Sequence, residues 1–164
     1  MIRLSADYTA PALAGTLAYD RSEHSFSFAV LSPAELSDRV GDRGLTSLLI
    51  NTLQIEIGVA SAICLFVWGY HPQAPWKRGT LSHPTAARPG VIRASADEAW
   101  QAGVSEDISY TADWITTYDQ QAGWICVGNP SFRASGEYIE FATNSIAHLS
   151  NSLLQAIWLH PQMK

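Results

Sequence analysis

Apolar and polar positions alternate strictly along Leu53-Gln54-Ile55-Glu56-Ile57, the period-two signature of a strand with one buried face. After the small residues Gly58 to Ser61, the run Ala62 to Tyr70 is apolar at both alternating sets and rich in β-formers. The pair predicts a hairpin whose second strand is central. Immediately upstream, Leu45, Leu48, Leu49 and Leu53 fit a helical spacing, so residues 45–52 read either as a short helix or as the beginning of the strand. A further hairpin is expected from Thr16 to Tyr19 and Ser25 to Leu31, around Asp20-Arg21-Ser22-Glu23.

The second half repeats the β pattern. Ile108 to Tyr118, the turn-like Asp119-Gln120-Gln121-Ala122-Gly123 and Trp124 to Gly128 read as another hairpin. Beyond the breaker Gly128-Asn129-Pro130, three short strands are expected at Glu137 to Ala142, Ile146 to Leu149 and Leu153 to Leu159. Asn-Ser pairs suited to tight turns separate them, and the close spacing predicts a meander.

Two helix starts carry a mechanism. Ser32-Pro33-Ala34-Glu35 and Ser95-Ala96-Asp97-Glu98 both match S-x-x-E, in which the serine hydroxyl and the glutamate satisfy otherwise unpaired amides. Gly41 and Gly103 stand where each helix would stop. The fold class expected is therefore α+β: mainly antiparallel β sheet, made of hairpins and a C-terminal meander, with two or three short helices. His71 to Gly90 contains four prolines, Pro72, Pro75, Pro84 and Pro89, and forms a long connector of the kind that is often functional. Neither half alone promises a full core, so a single domain over residues 1–164 is expected, with the Pro-rich connector at 71–90.

Composition adds constraints. A chain of 164 residues can bury a core without metal or disulfide support. Charged residues make up only 15% of it, against the usual ~25%, so Ser, Thr, Asn and Gln must supply much of the polar surface. The net charge of −5 argues against nucleic acid, which is normally met by a basic patch, and leaves a basic protein partner open. Met1 to Asp7 lacks the apolar stretch of a secretory signal, and the longest apolar run, Ile57 to Trp68, is shorter than the ~20 residues of a membrane span. A cytoplasmic location away from the membrane is expected. Cys64 and Cys126 lie in apolar runs without a CxxC spacing and read as buried free thiols, with a disulfide left as the alternative.

The search for chemistry finds no established spacing. His24, His71, His83, His148 and His160 form neither HxH nor HxxxH, so no metal or cofactor is expected. GxSxG, SxxK and GxxxxGK[ST] are all missing, and no catalytic residue is assigned. Charge is distributed more tellingly. From Asp97 to Glu140 there are eight carboxylates (Asp97, Glu98, Glu106, Asp107, Asp113, Asp119, Glu137 and Glu140) and one base, Arg133, whereas Lys77 to Arg93 carries four bases and no acid. Such halves either attract one another within the fold or steer a basic partner. Trp100 stands inside the acidic stretch and Trp76 beside Lys77-Arg78, and tryptophan is enriched at interface hot spots. The residues expected to meet a protein partner are Asp97, Glu98, Trp100, Glu106, Asp107, Asp113, Asp119 and Trp76. Trp68, Trp114, Trp124 and Trp158 are expected in the core.

Gly123-Trp124-Ile125-Cys126-Val127-Gly128, Tyr138-Ile139-Glu140-Phe141-Ala142 and Leu154-Gln155-Ala156-Ile157-Trp158-Leu159 together resemble the closing meander of small bacterial immunity proteins, acidic binders that neutralise toxins exchanged between competing bacteria. The resemblance covers about a quarter of the chain and transfers no site residue. It implies a non-catalytic protein with one tight partner, a basic toxin domain met by an acidic surface; homodimerisation is left open. The alternative is a small-molecule-binding protein or hydrolase-like enzyme with a pocket under the 71–90 loop, using Glu56, His71 and His83.

Overall fold

The computed structural model describes residues 1–108, 113–130 and 136–164. Among them are sixteen strands and one helix in two sheets, so the protein is essentially all-β and the α+β expectation is corrected. The larger sheet contains β1 (Arg3–Asp7), β2 (Gly15–Asp20), β3 (Ser25–Val30), β4 (Leu45–Ile50), β5 (Leu53–Gly58), β6 (Ile63–Tyr70), β9 (Val91–Ser95), β10 (Glu106–Asp107) and β16 (Gln162–Met163). The smaller contains β7 (Lys77–Arg78), β8 (Arg88–Pro89), β11 (Thr116–Asp119), β12 (Trp124–Gly128), β13 (Glu137–Ala142), β14 (Ser145–Ser150) and β15 (Leu153–Leu159).

In the larger sheet the order β10-β4-β5-β6-β3-β2-β16 forks at β6. The C-terminal end of β6 pairs with β3 through Phe26 and Gly69, and its N-terminal end pairs with β9 through Cys64 and Ile92, with β1 beyond β9. The expected alternation holds in β5, where Leu53, Ile55 and Ile57 are buried and Gln54 and Glu56 are not. Residues 45–52 resolve as strand and turn. β4 is paired on both sides, by β5 and β10, and the chain reverses at Asn51, whose φ of 54° an asparagine accepts readily. Pairing on two edges outweighs the helical spacing of four leucines.

The helix α1 (Pro33–Val40) starts as expected. Ser32 Oγ accepts from Glu35 N at 3.2 Å, and Gly41 N donates to Ser37 O at 3.2 Å. Glu35 does not complete the reciprocal box; it pairs with Arg39 at 2.9 Å, one turn on. The second helix, expected at 95–103, is not formed. Ser95 closes the β1–β9 ladder opposite Arg3, and Gly103 N donates to Leu45 O at 2.9 Å, so the segment is drawn along the β4 edge instead. The expected strand from Ile108 to Tyr118 is also divided. Ile108 N bonds Leu49 O in the larger sheet, β11 begins only at Thr116 in the smaller, and residues 109–112 lie outside the described set.

The C-terminal meander appears within a residue of its expected bounds. β14 and β15 join through Asn151 and Ser152, both at positive φ (53° and 63°), the backbone of a tight hairpin whose twist matches its strands. Ile125, Val127, Ala147, Leu149, Leu154, Ile157 and Leu159 point to the larger sheet and share one core with Leu48, Ile55, Leu65 and Ile92. Cys126, Ile146, Ala156 and Trp158 point the other way into a second cluster with Leu81. What covers that outer face is the Pro-rich connector. Its β7 joins one edge of the smaller sheet, beside β11, and its β8 joins the other, beside β13. The connector is thus a strap laid across the sheet, which explains why strands 124–128 and 153–159 are apolar on both faces. Cys64 and Cys126 are free and buried, one in each sheet, and burial pushes both thiols up to about 12. Among the described residues, no helix is long and apolar enough to cross a membrane.

Candidate functional site

The structure divides the expected partner residues into three groups. Asp97 and Glu98 follow β9 and are exposed, Trp100 is half-buried against the core, and Glu106 and Asp107 form β10, the last strand on its side of the larger sheet. These five lie on one segment tied to β4. Besides the Gly103–Leu45 bond, the Thr46 hydroxyl donates to Val104 O, and Glu106 and Asp107 stand opposite Leu48 and Leu49. Leu45 and Val104, 40% and 48% exposed, add an apolar component to the same edge.

Asp113 lies elsewhere, on the wall of a cavity of about 510 Å³ shared with Lys77, Ile115 and Thr117. Asp119 is buried; its carboxylate accepts from Leu81 N at 2.9 Å and Ala122 N at 3.0 Å, bonds that hold it below the usual carboxylate range. It pins the strap to the 119–123 turn and is not available to a partner. Trp76 is buried as well, with ring centroids 5.0 Å from Tyr19, 5.7 Å from His71 and 5.8 Å from Tyr118. Both residues are therefore corrected from surface to interior.

The acidic stretch is not neutralised by the bases of the strap. Among the described residues, Asp97, Glu98, Glu106 and Asp119 form no ion pair with Lys77, Arg78, Arg88 or Arg93. Asp97 pairs with the Met1 amine at 2.9 Å, Arg93 approaches Asp7 at 3.9 Å, Arg88 sits 3.9 Å over the Tyr8 ring, and Arg78 bonds Gln120 and lies over Tyr118. Glu98 and Glu106 are exposed and make no ion pair among the described residues.

A second candidate is a cavity of about 340 Å³ beneath residues 72–77, where the 51–52 turn, the strap entry and residues 114–116 meet. Its wall includes His71, buried to 6% exposure. The imidazole bridges two hydroxyls, Nδ1 to Thr52 Oγ1 at 2.9 Å and Nε2 to Thr116 Oγ1 at 2.8 Å, and burial pulls its pKa down to about 4. The ring is neutral at pH 7. Tyr19 Oη donates to His71 O at 2.7 Å and His71 N donates to His24 O at 2.7 Å, which fixes the residue from both backbone sides. Glu56 and His83 do not join it. Glu56 is half-buried on β5, raised by that burial and bonded by the Ser47 hydroxyl at 3.3 Å, while His83, exposed on the strap itself, stacks on Trp124 at 4.6 Å. The expected Glu56–His71–His83 constellation is not assembled, and the Thr52–His71–Thr116 relay contains no carboxylate. Trp114, expected in the core, is buried and also lines this cavity, whereas Thr52 and Thr116 carry no sequence signal, because nothing local marks a threonine as the partner of a histidine 19 or 45 positions away.

Among the described residues, no group of three or more His, Cys, Asp or Glu is placed to hold a metal ion. Comparison with protein-family models, curated proteins and solved structures finds no match.

Proposed function

We propose that this chain is a non-catalytic protein-binding module of the immunity-protein type, which meets a basic toxin domain with the β10 edge of its larger sheet. One observation carries the reading. Among the described residues Glu98 and Glu106 make no ion pair, and both stand exposed on the segment that runs from β9 to the β10 edge, which also carries half-buried Trp100 and exposed Val104 beside exposed Leu45. That mixture of an aromatic anchor, apolar contacts and like charges suits a partner of opposite sign. Carboxylates on an edge strand also discourage pairing between copies of the chain, so the partner must bring the cations. The net charge of −5 and the C-terminal resemblance to immunity proteins point the same way.

In this reading the carboxylates raise the rate of encounter and Trp100 slows dissociation. The test is calorimetric titration of the chain against the basic protein encoded by the neighbouring reading frame. Trp100→Ala combined with Glu98→Lys and Glu106→Lys weakens binding at least ~100-fold, about 2.7 kcal/mol. Unchanged affinity in that variant rejects the edge, and no binding by the wild-type chain rejects the pairing.

A further inference from the structure

We propose that the cavity beneath residues 72–77 is a binding site for a small aromatic carboxylate. This goes beyond the edge reading and stands independently of it.

The cavity is preformed. Pro72 and Pro75 restrict the loop above it, Trp76 N closes a turn on Gln73 O at 2.9 Å, and the loop is anchored at one end by His71 and at the other by pairing of Lys77 with Thr117. Its volume of about 340 Å³ lies at the small end of the ~300–1,000 Å³ typical of ligand pockets, which suits a one- or two-ring molecule. Trp76, Trp114, Pro72 and Pro75 supply flat, apolar walls.

Two features select an anion with hydrogen-bond acceptors. The first follows from the relay. A neutral imidazole has one N–H and one lone pair. If Nε2–H donates to Thr116 Oγ1, Thr52 must donate to Nδ1, and the Thr116 hydroxyl proton remains to be given elsewhere. In the other tautomer the roles exchange, and Thr52 keeps the spare proton. Either way, one wall threonine retains an O–H donor that the relay does not consume. The second is Lys77, which lines the cavity, is exposed and makes no ion pair among the described residues. A carboxylate attached to a flat ring satisfies the cation and the spare hydroxyl while its ring meets the tryptophans.

The probe is indole-3-carboxylate, with indole as its uncharged counterpart, titrated into the full chain and followed by backbone amide NMR. Saturable shifts at Thr52, His71, Trp76 and Thr116 are expected, with indole binding at least ~10-fold more weakly, about 1.4 kcal/mol. Lys77→Gln, an exposed change that leaves the fold intact, reduces carboxylate affinity to that of indole and leaves indole affinity unchanged. No saturable shift at millimolar probe overturns the proposal, as does binding that perturbs amides outside this cavity or ignores Lys77→Gln.

Discussion

Burial of His71 makes the fold acid-labile in a defined window. An unperturbed histidine titrates near ~6.5, whereas His71, enclosed between Thr52 and Thr116, is pushed down to about 4. Because the folded pKa lies below the unfolded one, the unfolded chain binds the proton first as pH falls. The contribution of the neutral ring is complete above pH ~6.5, declines from there to pH ~4, and is gone below that. The distance from ~6.5 to about 4, at ~1.4 kcal/mol per pH unit, corresponds to roughly 3–4 kcal/mol, a large part of the ~5–15 kcal/mol that holds most domains together. His148, lowered by burial too, acts in the same direction, while half-buried Glu56, raised by burial, opposes them weakly. Urea unfolding at pH 7.0, 5.5 and 4.5 measures the effect. Wild type loses stability across the series, whereas His71→Asn starts lower at pH 7.0, having lost part of the relay, and shows a shallower slope. Parallel pH dependence in the two proteins, or a folded-state His71 that titrates near 6.5 by NMR, would refute the reasoning.

Other consequences are equally concrete. Cys64 and Cys126, raised to about 12 by burial, should resist thiol reagents at pH 8 until the chain unfolds. Leu81→Ala removes the strap's main contact with Cys126, Ile146 and Trp158; it should cost ~2 kcal/mol in urea unfolding and speed labelling of Cys126 while leaving Cys64 unchanged. Gly128 has φ 120°, and an added Cβ would stand 2.5 Å from Gln155 O. Gly128→Ala should therefore destabilise the meander by ~2–3 kcal/mol, seen as a lower thermal midpoint.

The strands were legible where one face meets solvent. Leu53 to Ile57 shows its alternation because Gln54 and Glu56 remain partly exposed, and the Asn-Ser pair at 151–152 marked its own turn. Strands covered on both sides were legible as strands, but what covered them was not. Trp124 to Gly128 reads the same whether its second face meets a helix, another sheet or a proline-rich strap. The strap itself looked like a linker because its pairings are only two residues long at each edge. Local signals failed where a distant partner competed for the same backbone, as at Ser95, whose S-x-x-E match carries no information about the β1 ladder. For the site, composition identified the acidic stretch, while placement depended on tertiary bonds. Glu106 stands on the β10 edge with Glu98 and Trp100 on the segment that leads to it, whereas Asp119 was consumed by two backbone amides and Trp76 by an aromatic core. The His71 relay joins residues from three distant segments and leaves no periodic trace.

The β10 edge is tested most directly by the association rate between this chain and the basic domain encoded beside it, measured by stopped-flow at 20 and 200 mM salt. The account expects the rate to fall with salt, since exposed charges are screened over a Debye length of ~10 Å near 0.1 M, and to fall at low salt by roughly tenfold or more in Glu98→Lys/Glu106→Lys. A rate that is indifferent to both salt and charge reversal would contradict it.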